Sequence, residues 1–243
     1  MPKAPVTRQA RKERTRTSIL DSALRLSEEG GLAKLSLRSV AKDVGIVPAA
    51  IYRHFASVEE LGLALLDDSF GAMRQTMREV RRDTDLDSMI EGSIAILAKN
   101  VADRRAHFLF LARERIAGPP LVRDALHRQM ELFELELAMD LSRLPQVNRW
   151  PSEDVRTLAA LIVTTVTGLV EALVSSPGDR SSRQHDEEAV ARTQKQLRMI
   201  IVGAANWEPP QPEPARGRRG RGARSQKAAA PAAASTGTAD ESD

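Results

Sequence analysis

Apolar positions recur at helical spacing along nearly the whole chain. Over residues 7–29 a basic segment becomes amphipathic, with Ile19, Leu20, Ala23 and Leu24 on one face, and Gly30-Gly31 stops it. Ser36 caps a short helix whose apolar positions Leu37, Val40, Ala41 and Val44 fall at i, i+3, i+4 and i+7, and Gly45 ends it. Pro48 stands where a first helical turn tolerates proline, and Ile51, Tyr52 and Phe55 continue the pattern. Ser57-Val58-Glu59-Glu60 reads as a capping box that opens a long helix reaching to roughly Arg82. Further helices are expected over 86–101, 104–116, 120–144, 152–176 and 186–206. Gly118-Pro119-Pro120, Pro145, Pro151 and Pro177-Gly178 separate them. Aromatics make up only 3% of the chain and no Asn-Gly or Asp-Gly hairpin turn occurs, so strands have little support. The expected fold is all-α with about nine helices: an N-terminal three-helix helix-turn-helix domain and a C-terminal helical bundle.

Charge sharpens this picture. The net +3 conceals an asymmetry, because residues 1–56 carry +6, residues 57–207 carry −4 and residues 208–243 carry +1. One end is suited to a polyanion, either nucleic acid or an anionic membrane surface, while the body is slightly acidic. After Trp207 the composition shifts to Pro, Ala, Arg and Gly without bulky apolar residues, which cannot offset the entropy of ordering. Three segments result: a helix-turn-helix domain with a basic N-terminal arm at 1–56, a helical body at 57–207, and a disordered tail at 208–243.

Several chemistries are disfavoured. Cysteine is absent, which removes disulfides, thiolate metal sites and a cysteine nucleophile. His54, His107, His127 and His185 show no metal-ligand spacing, and neither HExxH nor GxSxG occurs, so no metal and no enzyme activity are expected. The glycines of Gly217-Arg218-Arg219-Gly220 follow no strand and make a poor dinucleotide loop. The basic N-terminus has no apolar stretch behind it, unlike a secretory signal. The most apolar run, 158–174, is shorter than a membrane span and broken by Thr164, Thr165, Thr167 and Glu171. A cytoplasmic protein with no membrane partner is the expectation.

The informative span is Leu35 to Phe55, two short helices about a glycine turn. A recognition helix needs low relief at its first turns to enter a major groove about 12 Å wide, and Pro48, Ala49 and Ala50 supply it. Arg53 can reach a base edge or phosphate, with Tyr52 and His54 as flanking phosphate contacts. Ser36, Arg38 and Val47 complete the candidate DNA-contacting set on the helix-turn-helix. The arm residues Arg8, Arg11, Lys12, Arg14 and Arg16 can track the backbone or a minor groove. On pattern alone a plain helical hairpin with a charged second helix remains open.

The run from Leu35 to Leu66 resembles the DNA-binding signature of TetR-family regulators, carried here by Tyr52-Arg53-His54-Phe55 and Glu59-Glu60-Leu61. Within that family it is more closely similar to the branch that represses unsaturated fatty-acid synthesis genes (the FabR and DesT type). The likeness continues at Arg113-Glu114-Arg115, at Leu197-Arg198-Met199-Ile200, and at Gly203 and Trp207. Two positions depart from the wider family. Val47 replaces a frequent hydroxyl residue, and Val58 replaces a frequent lysine, although the fatty-acid branch shares the second valine. The first change removes a helix cap and the second a phosphate contact, so affinity leans more on the arm.

The resemblance implies a homodimer on palindromic double-stranded operator DNA, with a small apolar effector in the body and no permanent cofactor. For the narrower branch the effector is a long-chain acyl thioester, acyl-CoA or acyl carrier protein. Candidate pocket residues are Leu66, Phe70, Met73, Phe108, Leu111, Met130, Phe133, Leu137, Ile162 and Val166, equally readable as ordinary core. Arg104, Arg105, Arg113 and Arg115 are candidates for meeting coenzyme phosphates at the pocket mouth. Leu158, Leu161, Val170, Leu173, Leu197, Ile200 and Ile201 are the expected dimer interface. The competing readings are a repressor answering another apolar molecule, as in efflux control, and an architectural DNA binder without a ligand. A helical enzyme acting on lipid thioesters lacks any recognisable nucleophile–base arrangement.

Overall fold

A computed structural model describes residues 7–80, 86–145, 147–176 and 180–208. Apart from Glu208, the tail at 208–243 lies outside them, as does the end of the first long helix at Arg82. Nine α-helices and no strand occur among the described residues: α1 (Arg8–Ser27), α2 (Leu37–Val44), α3 (Pro48–Ile51), α4 (Val58–Val80), α5 (Leu86–Asp103), α6 (Arg105–Ala117), α7 (Pro120–Leu141), α8 (Ser152–Ser175) and α9 (Arg180–Ala205). A 3-10 turn at Leu32–Lys34 links α1 to α2. The all-helical expectation is met. Helix ends differ by a few residues: α7 stops at Leu141 rather than 144, and α9 begins at Arg180 rather than 186.

Local chemistry accounts for the short elements. Ser36 accepts the Ser39 N–H at 3.1 Å, and Ser39 Oγ accepts the Ser36 N–H at 3.3 Å, a reciprocal cap on α2. Gly45 ends α2 at φ 75°, and the Ile46 N–H returns to the Ala41 carbonyl at 3.0 Å. Val47 gives α3 no side-chain cap, as its apolar side chain requires. Ser57 accepts the Glu60 N–H at 3.2 Å, while Glu60 accepts the Ala56 N–H at 2.6 Å, so both halves of the box at α4 act on backbone donors. Asp43 of α2 is bound from α1 by the Ser22 hydroxyl at 2.6 Å and by Arg25, fixing the angle between the two helices.

The apolar core does not stop at residue 56. Ile19, Ala23, Val40, Ala41, Ile51 and Phe55 of the N-terminal helices share one buried cluster with Leu61, Leu65, Leu66 and Phe70 of α4, Phe110 and Leu111 of α6, and Val122, Leu126 and Phe133 of α7. A second cluster joins α5, α6, α8 and α9, and a third joins α7, α8 and Val147 of their connection.

Glu114 of α6 is the most heavily buried acid of this arrangement, at 1% relative exposure. It accepts the Leu32 N–H at 2.9 Å, one of the donors that the turn after α1 leaves free. Its neighbour Arg113 donates to the Ser27 and Glu28 carbonyls at 3.1 and 2.5 Å, satisfying the C-terminal end of α1. Gly31 makes room for this junction: its φ is 66°, and a Cβ there would lie 2.5 Å from Glu114 Oε1.

Burial holds the Glu114 carboxyl above its ordinary value, against the opposing pull of the Leu32 N–H and Arg113. A raised carboxyl favours the protonated folded protein. The associated stability is therefore present below the ordinary value of 4.5 and is lost as pH rises through the raised one. Glu114→Gln keeps the acceptor for Leu32 without the charge, so thermal melts should show it gaining on the wild type as pH rises from acid to neutral. Glu114→Ala strands the Leu32 N–H and should cost about 1–3 kcal/mol at either pH. Parallel wild-type and Glu114→Gln stability curves across that range would overturn the assignment.

Candidate nucleic-acid interface and apolar cavity

The turn after α2 and the first turn of α3 stand out from the body. Ile51 and Phe55 are buried anchors, whereas Val47, Pro48, Ala49, Tyr52 and Arg53 are exposed, and Ala50 and His54 are half-buried. The helix is only four residues long. Beyond it the chain tightens into i to i+3 bonds, Arg53 N–H to Ala50 and His54 N–H to Ile51, at 3.2 and 2.8 Å. Ser36 and Arg38 are exposed at the start of α2, beside Tyr52, in a shallow cleft that Ser57 and Val58 complete.

The basic arm is helical. Thr7 caps α1 by accepting the Ala10 N–H at 3.2 Å, so Arg8, Arg11, Lys12, Arg14 and Arg16 ride on the first turns of a rigid helix. Eight residues of helix span about 12 Å, which suits phosphates along a backbone better than an extended strand in a minor groove. Arg16 lies over the Phe55 ring at 4.6 Å to its centroid, so part of its charge is used in clamping α1 to the end of the helix-turn-helix. His54 is held below its ordinary value, first by burial and then by Lys12 and Arg16, with Glu13 opposing.

In the body, a cavity of about 110 Å³ opens where the three core clusters meet. Its walls are Phe70 and Met73 of α4, Leu97 of α5, Phe108, Leu111, Ala112 and Arg115 of α6, Leu126, Met130, Phe133 and Leu137 of α7, and six residues of α8. The α8 wall is Ile162, Val163, Val166, Thr167, Val170 and Glu171. Nine of the ten candidate pocket residues come together there; Leu66 does not, because the cavity begins one helical turn further along α4, at Phe70. Phe70 and Phe133 stack at 5.5 Å across one wall. The lining is apolar except for Thr167 and the ion pair of Arg115 with Glu171. Arg115 was a candidate for the pocket mouth, whereas sequence reasoning passed over Thr167 and Glu171 because apolar spacing was the criterion; their separation by four on a mostly apolar helix carried the available signal.

None of the four arginines considered for phosphates stands free in the protein. Arg105 donates to the Val174 and Ser176 carbonyls at 2.6 and 3.2 Å, closing the end of α8, while Arg113 binds the end of α1 and Arg115 binds Glu171. Arg104 sits half-buried before the first turn of α6.

The expected interface residues divide. Leu158 and Leu197 are buried in the protomer's own core, and Val170 lines the cavity. Leu173, Ile200 and Ile201 are half-buried against the second cluster. Leu161 alone of the set is exposed, and its face of α8 continues through Thr164, Gly168 and Ala172. Met199 and Val202 are the exposed apolar residues of α9, at 66% and 62%. α8 is 24 residues long with mean hydropathy 2.0 over its most apolar window, so length does not exclude a membrane span. Only 22% of that window is buried, yet α8 packs on α6, α7 and α9, bears Arg156 and Glu171, and binds the Trp207 indole through Asp154 at 3.2 Å.

Residues 19–65 match the family model described as bacterial regulatory proteins, tetR family. Solved structures with the same fold include a transcriptional regulator from Rhodococcus sp. Rha1, 22% identical with a TM-score of 0.58 over 81% of this chain and 98% of that one. FadR from Bacillus subtilis in complex with stearoyl-CoA is 15% identical with a TM-score of 0.59, over 77% and 98%. A regulator from Saccharomonospora viridis in complex with choline is 20% identical with a TM-score of 0.54, over 78% and 96%. All three neighbours are described as transcriptional regulators, and two of them hold unlike ligands, stearoyl-CoA and choline, on one fold. Residues 19–65 therefore match the regulatory domain of the tetR family, and the chain shares its fold with solved transcriptional regulators.

Proposed function

We propose that this protein is a ligand-responsive transcriptional repressor of fatty-acid synthesis or desaturation genes. It binds a palindromic operator as a homodimer, and a long-chain acyl thioester in the cavity modulates that binding. One observation carries the reading: the cavity wall and the core beneath the N-terminal helices have four side chains in common. Phe70, Leu111, Leu126 and Phe133 face the cavity and also belong to the cluster that holds Ile19, Ile51 and Phe55. A ligand that repacks the first group shifts the packing beneath α1–α3, which is the differential interaction an effector needs. The stearoyl-CoA complex of the B. subtilis neighbour supports an acyl ligand on this fold.

The cavity, at about 110 Å³, is below the roughly 300–1,000 Å³ of ordinary small-molecule sites. An acyl chain therefore has to open it, at the expense of part of the roughly 0.8 kcal/mol that each buried methylene contributes. The flexible Met73 and Met130 line the wall where such opening is easiest. The same small volume favours, as a second reading, a shorter apolar effector of another class.

The decisive measurement is fluorescence anisotropy on duplex DNA from the region beside the gene, at fixed salt, with and without saturated and unsaturated long-chain acyl-CoA. Sequence-specific binding that moves by about fivefold or more is expected. Specific binding without a shift would retain the repressor and discard the acyl effector; weak binding indifferent to sequence would favour an architectural role.

Dimerisation through the exposed face of α8 and α9 predicts that Leu161→Glu yields a monomer by sedimentation and loses operator affinity, with its melting transition little changed. A dimeric Leu161→Glu would move the interface elsewhere. His54 offers a third check. A DNA phosphate would reverse the depression of its pKa, so operator affinity should tighten as pH falls from 7.5 to 6, by up to about tenfold per pKa unit restored. The dependence should vanish in His54→Gln, and an equal dependence in both proteins would remove His54 from the interface.

A further inference from the structure

The acyl reading leaves open what in the cavity recognises the polar end of a ligand, and Arg115 supplies an answer that rests on that reading. Arg115 lines the cavity and pairs through Nη2 with Glu171, one helix away on α8. The pair sits where the cavity meets the surface, its side chains 35% and 38% exposed. Arg115 Nε is nonetheless buried and has no hydrogen-bond partner. Buried donors are rarely left unmet, because the unmade bond costs the full desolvation of the group. Here the unmet donor belongs to one of the few polar residues in an otherwise apolar wall.

We propose that Arg115 Nε is the receptor for one uncharged hydrogen-bond acceptor on an apolar chain, an ester or thioester carbonyl oxygen. The electrostatics select the neutral acceptor. Arg115 and Glu171 together carry no net charge, so a carbonyl oxygen takes the free N–H without adding one. A free carboxylate would bring an unbalanced negative charge beside Glu171 into apolar surroundings, which is costly. Glu171 thus acts as a filter: it neutralises the guanidinium and thereby turns away the free acid of the same chain. Thr167, one turn before Glu171 on the cavity side of α8, places a hydroxyl in the same wall. Because the site reads the carbonyl, the carrier beyond the thioester is not what it recognises.

The test is calorimetric titration of the full chain with two dodecanoyl compounds, the N-acetylcysteamine thioester and free dodecanoate, with dodecanoyl-CoA as a third arm. The wild type should prefer the thioester to the acid by roughly tenfold, the range of a hydrogen bond to a charged group. Glu171→Gln leaves a net positive site and should reverse that order. Arg115→Met removes the N–H and leaves Glu171 unbalanced, so the thioester should bind roughly tenfold more weakly while the acid stays excluded, and Arg115→Lys should recover part of the thioester binding. Similar binding of acid and thioester to all these proteins would overturn the assignment of Arg115 and leave the lipid reading standing. Binding of dodecanoyl-CoA alone would also overturn it, by placing recognition on the coenzyme. If no protein takes any of the compounds, the lipid reading falls and the assignment with it.

Discussion

Two consecutive side chains of α6 hold the end of α1. Glu114 receives the Leu32 N–H from inside the protein, and Arg113 covers the Ser27 and Glu28 carbonyls from outside. The junction between the DNA-binding helices and the body is thus fixed by backbone hydrogen bonds as well as by apolar packing. Apolar contacts can slide with little change in energy, but a buried carboxylate and an N–H cannot separate without leaving both unmet. The position of α1 is consequently tied to the axial position of α6. α1 in turn carries α2, through the bonds of Ser22 and Arg25 to Asp43, and meets the end of the helix-turn-helix, through Arg16 on Phe55.

The same helix is a wall of the cavity. Phe108, Leu111, Ala112 and Arg115 face it, while Arg113 and Glu114 lie between them in sequence and point to the junction. At 3.6 residues per turn, successive positions diverge by about 100°, so one short helix can present a ligand-facing side and a domain-facing side within a single turn. The buried ionisable group is therefore placed where α6 is least free to rotate. A hydrophobic residue in place of Glu114 would pack, yet it would release one of the two polar contacts that specify register between α6 and the end of α1. This is the use of a buried polar group with the clearest physical basis, since it contributes specificity of arrangement more than stability.

Much of this was legible in the residues. The caps at Ser36, Gly45 and Ser57 act over one turn of chain, and they placed α2, α3 and the start of α4 correctly. Apolar periodicity likewise brought nine candidate liners to one cavity, because a residue spaced for the core of a long helix must face the bundle axis. Periodicity does not say how far along that axis a residue falls, and Leu66 shows the consequence: it shares a face with Phe70 but lies one turn nearer α1. Nor does it separate the inner face of a helix from an outer apolar one. Leu158 and Leu161 are equally apolar and three apart, yet one is buried in the protomer and the other exposed.

Long-range polar pairings were beyond the reach of local pattern. Arg105, Arg113 and Arg115 read as a basic surface in sequence, and each is instead matched to a partner more than fifty residues away. Their common role follows from where helices end. α1 and α8 both terminate against α6, and each leaves carbonyls that need donors; Arg113 and Arg105 supply them. With those two committed to closing helices, Arg115 is the arginine of α6 left facing the cavity, and its position beside Glu171 makes the entrance polar but uncharged overall. If the cavity takes the ligand proposed above, an apolar wall of about 110 Å³ with a neutral polar rim would discriminate first by whether the polar end brings a charge, and only then by the length of chain behind it.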